Sequence, residues 1–205
     1  MTVFADLKTR VADDLDRSDM GTQIDRELRQ AVKHYEKTRW WFNEEQATAN
    51  TVASQANYSL PEDLLVLDDL EITINSRRFR MTEIQWGRYL DEYRYQTLTG
   101  QPQDWAMAHD QLWLGPTPNA VYALTLNYVR TLEPSTWTDG TENAWTNYAE
   151  DLITSRALKT LGARPLQLAS GTLVSWQELE RQAFKSLEQM NDQRLMTGLA
   201  RPWSG

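Results

Sequence analysis

Trp40-Trp41-Phe42-Asn43, followed from Ala47 to Ile74 by ATANTVASQANYSLPEDLLVLDDLEITI, is the stretch whose reading decides the fold. Upstream of the aromatic cluster, apolar residues recur every three or four positions; downstream they alternate, and the helical period returns only near Trp145. A β unit is therefore expected inside a helical protein. Ala47, Ala49 and Thr51 alternate with Thr48, Asn50 and Val52, and Ser54-Gln55 reads as a turn. Tyr58 and Leu60 then return as the second strand of a hairpin, which Pro61 ends. Pro61-Glu62-Asp63 is a turn, and Leu70, Ile72 and Ile74 face inward on a strand that Asn75-Ser76 folds back into Phe79 and Met81. A short helix over 82–93 offers Trp86, Tyr89, Leu90 and Tyr93. A second hairpin sets Trp105 and Met107 against Leu112 and Leu114 across His109-Asp110-Gln111, and Gly115-Pro116-Thr117-Pro118 ends it. A last strand carries Tyr122, Leu124, Leu126 and Tyr128 on one face.

On the N-terminal side, Thr2 is expected to cap a helix whose inward side is Phe4, Leu7, Val11 and Leu15 and which ends near Arg17. Thr22-Gln23-Ile24-Asp25 has the form of a capping box opening a second helix with Ile24, Leu28, Ala31, Val32 and Tyr35 inward. On the C-terminal side, a third helix lines up Trp145, Tyr148, Ala149, Leu152, Ile153, Ala157 and Leu161 and closes at Gly162 and Pro165. A fourth, over 171–196, turns Leu173, Trp176, Leu179, Ala183, Phe184, Leu187 and Met190 inward. The expected fold class is α+β: a four-helix bundle formed by residues 1–43 and 133–196, with an antiparallel β subdomain over 44–132 inserted and a flexible arm over 197–205. Trp40, Trp41 and Phe42 are expected to pack the helical hairpin against the sheet. Between β unit and third helix, the polar loop over 133–143 holds Trp137 among residues too small and polar to bury it, which marks it as a candidate partner contact.

The charge balance, 29 acidic against 21 basic residues for a net charge of -8, provides no overall basic footprint for nucleic-acid phosphates. With no cysteine, disulfides and thiolate metal sites are excluded. Met1 to Arg10 has no apolar signal core, and no run of about 18 apolar residues is present to cross a bilayer, so a soluble chain made inside the cell is expected, without a membrane partner. Nine Trp and eight Tyr are many for so acidic a chain, and aromatics anchor protein interfaces as well as cores.

Little in the sequence carries catalytic chemistry. The two histidines, His34 and His109, lack the spacing of a helical metal pair. Asp13-Asp14, Glu62-Asp63, Asp68-Asp69 and Glu150-Asp151 are carboxylate doublets, but adjacent side chains diverge on a helix or a strand and cannot share one substrate atom. A hydrolase would need Glu62, Asp63, Asp68 or His109 to converge in a pocket. Arg77, Arg78 and Arg80, with Phe79 between them, form the one basic cluster with an aromatic inside it, able to touch a phosphate backbone or a tail component; the ordinary reading is a solvated hairpin tip. Asn57-Tyr58-Ser59 fits a glycosylation acceptor, of no consequence without a secretory signal. No catalytic residue, metal or cofactor is assigned, and an enzyme is not expected.

Several pieces, in order, resemble the head-to-tail adaptor, or head-completion, proteins of tailed bacteriophages. They are Asp6-Leu7, Asp13-Asp14-Leu15, Phe42-Asn43, Thr51-Val52 with Gln55, and Tyr58-Ser59-Leu60-Pro61-Glu62-Asp63-Leu64. They continue with Gly100-Gln101-Pro102 before Trp105-Ala106, Leu112-Trp113-Leu114-Gly115-Pro116 with Pro118, and Leu124-Thr125-Leu126 before Tyr128. The last are Asn143-Ala144-Trp145 and Ala149-Glu150-Asp151-Leu152-Ile153. The resemblance implies a structural virion protein at the neck, assembled in the host cytoplasm. It would form a cyclic homo-oligomer, usually a dodecamer, between the portal and a tail or nozzle protein, with helices toward the portal and strands toward the tail. DNA would pass through it without sequence-specific contact, and the acidic excess suits such a conduit. A tail or baseplate component is the alternative within the same class. A C-terminal arm carrying Leu199, Arg201 and Trp203 is expected to order on the portal.

Overall fold

The computed structural model describes residues 2–95, 97–132 and 134–199. The chain begins with α1 (Phe4–Leu15) and α2 (Gly21–Tyr35), then a 3-10 turn at Trp41–Asn43. There follow β1 (Glu44–Asn50), β2 (Asn57–Ser59), β3 (Leu64–Ile74), β4 (Arg77–Arg80), β5 (Thr82–Glu83) and α3 (Trp86–Tyr89), which continues as a π-helical turn at Leu90–Arg94. Next come β6 (Thr99–Gly100), β7 (Asp104–Ala108), β8 (Gln111–Gly115), β9 (Thr117–Pro118) and β10 (Ala123–Arg130). After a 3-10 turn at Pro134–Thr136 the chain closes with α4 (Ala144–Tyr148), α5 (Glu150–Ala163) and α6 (Ser170–Leu199). The fold is mixed α+β and divides into two compact units, Met1–Phe42 with Glu133–Gly205, and Asn43–Leu132.

In the helical unit α5 is the centre, packed against α1, α2 and α6. Its burial runs almost all round: Leu152, Ile153, Thr154, Ser155, Ala157, Leu158, Leu161 and Gly162 are buried. Thr154 and Ser155 tolerate this because their hydroxyls donate back to the carbonyls of Glu150 and Asp151 at 2.7 and 2.5 Å. Gly162 allows close approach of α6, since a Cβ there would overlap the Trp176 ring and lie 2.9 Å from Leu173 Cδ2. The expected third helix is two elements, broken at Ala149, whose φ of -120° leaves the helical region while Asn143 caps α4 by accepting from Trp145 and Thr146 N–H at 2.9 and 3.2 Å. Thr2 does not cap α1; its N–H binds Asn147 Oδ1, and Asp6 accepts the N–H of Val3 instead. α2 starts at Gly21, one residue before the expected box, and Asp25 is engaged with Arg29.

The stripe that α6 buries is Leu173, Trp176, Glu180, Phe184, Leu187 and Asn191, with Glu180, Leu187 and Asn191 the most enclosed. Its 3-4-4-3-4 spacing winds along one face, and Leu179, expected inward, is 52% exposed. Trp40 and Phe42 stack, and both set their rings edge-on to Trp145; Trp40 also meets Phe184, and Trp41 meets Tyr148. The aromatic cluster thus packs within the helical unit, on α4 and α6. Its position is fixed by polar bonds: Trp40 Nε1 donates to Tyr35 O at 2.9 Å, and Asn191 accepts from Trp41 N–H at 2.8 Å while donating to Arg39 O at 3.2 Å. α6 runs through Leu199, so the first three residues of the expected arm are helical; Arg201 and Trp203 lie outside the described residues.

The β unit is two four-stranded sheets, in the orders β1-β10-β3-β4 and β2-β8-β7-β5, with a small β6-β9 pair. The first sheet is antiparallel throughout; in the second β5 runs parallel to β7, and β6 is parallel to β9. Alternation does place Leu70 and Ile72 with Leu124, Leu126 and Tyr128 in one core, where Trp105, Leu112 and Leu114 of the second sheet meet them. The opposite face of β7 and β8, Ala106 and Trp113, packs under Ile84 and Tyr89. Both two-residue turns, Asn75-Ser76 and His109-Asp110, have positive φ at each position, between 50° and 64°, the form that matches strand twist.

Three expectations fail here. β1 and β2 are not a hairpin: β1 pairs with β10 and β2 with β8, in different sheets. Tyr58 holds the intervening turn by donating to Gln55 O at 2.8 Å and accepting from Val52 N–H at 3.0 Å. The helix expected over 82–93 begins only at Trp86, because Thr82 and Glu83 pair with Asp104 and Trp105. Thr117–Pro118 does not simply end the hairpin but pairs as β9.

Candidate interaction surfaces

Trp137 is 6% exposed, its ring edge-on to Phe4 at 5.5 Å. The loop that carries it is held by backbone: Phe4 and Ala5 at the start of α1 donate to the carbonyls of Thr141 and Asp139 at 2.9 and 3.0 Å. Arg29 on α2 fastens the other side, donating to Trp137 O at 2.9 Å and to Pro134 O while its guanidinium lies 4.9 Å from the Phe4 ring centroid. Asp25 accepts from the same guanidinium, which holds its carboxyl below the ordinary carboxylate range. Trp137 is thus enclosed by residues distant in sequence, and its ring is used in the helical core. Arginine and the carbonyls of a polar loop do together what the loop's own side chains cannot.

Glu180 is a second feature, and sequence reasoning missed it. Tyr35 donates to its Oε1 at 2.5 Å, Arg156 Nη1 donates to the same oxygen at 2.9 Å, and Lys159 pairs with Oε2. Burial pushes the Glu180 carboxyl up, but the hydrogen bonds from Lys159 and Tyr35 and the surrounding positive charge outweigh it and hold the group below its ordinary value. Burial and the bond to Glu180 push the Tyr35 phenol up. Burial and the Arg156 charge push His34 down. The network ties α2, α5 and α6 together, and its signal was legible: Glu180 stands in step with Trp176 and Phe184, where Leu179 does not.

The arginines at 77, 78 and 80 lie on β4, an edge strand whose four residues are all exposed. Arg80 pairs with Asp69 at 2.6 Å and Arg78 approaches Glu71 at 3.6 Å, so the adjacent strand β3 already answers two of the three charges. Phe79 shares a strand face with Arg77 and is 49% exposed. The opposite edge, β1, presents Glu44 and Glu45 at its start and the small residues Ala47 and Ala49 on its inward face.

The carboxylates singled out for hydrolysis do not converge. Glu62 and His109 line one groove of about 560 Å³ with Leu60, Leu65 and Met107. Asp63 instead accepts from the Tyr128 phenol at 3.0 Å, burial and that bond pushing Tyr128 up to about 12, and Asp68 lines a different pocket with Arg80. Among the described residues there is no group of three His, Cys, Asp or Glu side chains arranged to hold a metal ion, and no helix is long and apolar enough to cross a membrane.

No curated protein matches the chain. The profile of the SU10 adaptor protein family matches residues 1–202. That span takes in both compact units, and with it the chain belongs to the SU10 adaptor protein family, which makes it a bacteriophage structural adaptor.

Proposed function

We propose that this chain is a head-to-tail adaptor that forms a closed ring between the portal and the tail of a phage particle and gives DNA a passage between them. The observation that carries the reading is the match of an adaptor family along residues 1–202, across two compact units. A ring-forming adaptor must present different surfaces to two neighbours, and a chain with one helical and one β-rich unit supports that requirement. In this reading the helices work as a four-helix bundle with the β unit, 44–132, inserted in it. The bundle and the arm over 197–205, with Leu199, Arg201 and Trp203, bind the portal. The β unit meets the tail or nozzle protein.

Twelve copies stand in the neck of the virion, assembled there in the host cytoplasm. The net charge of -8 favours a lumen that repels DNA rather than gripping it. The test is a phage lacking this chain, grown with and without the chain supplied in trans. Packaged heads without attached tails are the expected product in its absence, with tailed particles restored by the complementing copy; infectious, tailed particles of normal yield without the chain would refute the reading.

A further inference from the structure

Resting on that ring reading, we infer the surface through which neighbouring copies join: edge strand β4 of one copy pairs antiparallel with edge strand β1 of the next, making the four-stranded sheet continuous around the ring. The occupant of each edge is thus a second copy of this chain.

Strand direction supports this first. In β1-β10-β3-β4 every pair is antiparallel, so its two edge strands run in opposite directions. When copies are placed head to tail in the same orientation, β4 of one meets β1 of the next antiparallel, and the alternation continues unbroken. A sheet with an odd number of antiparallel strands would present edges running the same way.

The backbone is in phase as well. Thr51 N–H bonds to Tyr122 O at 2.8 Å beyond the last β1-β10 pair, and Met81 N–H bonds to Leu70 O at 2.8 Å beyond the β3-β4 pairs. Ladder alternation then directs the N–H and C=O of Gln46, Thr48 and Asn50 on β1, and of Arg78 and Arg80 on β4, away from the sheet. Setting Arg78 opposite Thr48 and Arg80 opposite Gln46 lets these groups bond one another, the Gln46 N–H exchanging its present bond to Glu45 Oε1 at 3.2 Å for one across the joint. The same register sets Phe79 opposite Ala47 and Arg77 opposite Ala49, all on the face that carries Leu70, Ile72, Leu124 and Leu126.

Side chains fit that register. Phe79 is half-exposed on that face at one edge of the sheet, and Ala47, half-buried against the core at the other edge, leaves room for a ring. Arg80, which pairs with Asp69 in its own copy, falls diagonal to Glu44 in this register, while Glu45 is held by Arg130 at 2.8 Å. A two-fold pairing of β4 with itself, in the phase its outward backbone groups allow, would set Arg78 opposite Arg80. That repulsion disfavours the arginine edge closing on its own copy, which would end growth at a dimer, and favours the head-to-tail contact a ring needs. Arginines on a free edge strand also guard against unspecific pairing, a role this arrangement keeps until the right edge arrives.

A disulfide tests the register directly, because the chain has no cysteine of its own. The 79–47 pair across the joint is of the non-hydrogen-bonded kind, with Cα atoms about 4.5 Å apart, within disulfide reach. The full chain carrying both Ala47→Cys and Phe79→Cys, and each single variant, is oxidised mildly in the presence of purified portal and run unreduced, with mass measured by light scattering. A covalent ladder extending beyond the dimer is expected for the double variant. The two single variants mixed should yield a dimer at least tenfold more abundant than either gives alone. An oligomer by mass without a ladder would overturn the β4-β1 joint and leave the ring standing. Strong dimerisation of Phe79→Cys alone would overturn it in favour of a two-fold joint. A monomer throughout would overturn joint and ring together.

Discussion

The phenol of Tyr35 on α2 donates to Glu180 on α6 at 2.5 Å, across 145 residues of sequence, and it does so onto a carboxylate that two cations from α5 also hold. As Asn191 does through Trp41 and Arg39, this acid ties the two ends of the chain. Removing it leaves Arg156 and Lys159 partly buried without an anion. Glu180→Gln should therefore cost about 2 kcal/mol, less than the roughly 3 to 5 of a fully buried pair, since both cations keep some access to water. Urea unfolding of the two proteins at pH 7 measures it, and equal midpoints would remove the network from the account.

The same network sets an acid limit. Because the folded Glu180 holds its proton less tightly than an ordinary glutamate, its contribution is complete above the ordinary value of 4.5 and is lost as pH falls through the depressed one. The stability gap between the native chain and Glu180→Gln should be flat from pH 8 to about 5 and narrow below about 4.5. A gap that instead widens toward acid would reverse the sign argued here.

Trp137→Ala should act on folding, not on partner binding. Its ring lies on Phe4 inside the helical unit, and truncating a buried Trp costs about 3 kcal/mol or more. A variant with unchanged thermal midpoint but weakened partner binding would restore the loop as a docking element.

Gly162→Ala sets two effects against each other. Alanine favours a helix over glycine by about 1 kcal/mol, but the added methyl meets the Trp176 ring and Leu173. Overpacking of about 1–3 kcal/mol should prevail, giving a net loss. Circular dichroism melting decides the sign, and a stabilised variant would mean that α6 stands off from α5.

Much of the fold was legible wherever one element carries its own pattern. Leu70, Ile72 and Ile74 beside Phe79 gave a correct hairpin because its turn is local, two residues long, and flanked by alternating side chains. Pairing between distant strands was not legible: Ala47 alternates as well beside Leu126 as it would beside Tyr58, and nothing local distinguishes the two. The three-and-four spacing of α6 carried Glu180 and Asn191, yet reading only apolar residues put Leu179 in the place of Glu180. The burial of Trp137 was not legible because the groups that enclose its loop, Arg29 and the first N–H groups of α1, lie over a hundred residues away. Of the candidate surfaces, the arginines of β4 were legible as a cluster, but not their answer on β3 nor the acidic edge at the other side of the sheet.

The central claim, a ring-forming adaptor seated on a portal, is tested most directly by the mass of the complex that the full chain forms with purified portal protein, by light scattering after size exclusion. The account predicts one discrete complex in which this chain is present in a fixed multiple, twelve copies per portal ring, insensitive to further excess of the chain. Absence of any complex with the portal, at concentrations where both proteins remain folded, would contradict it.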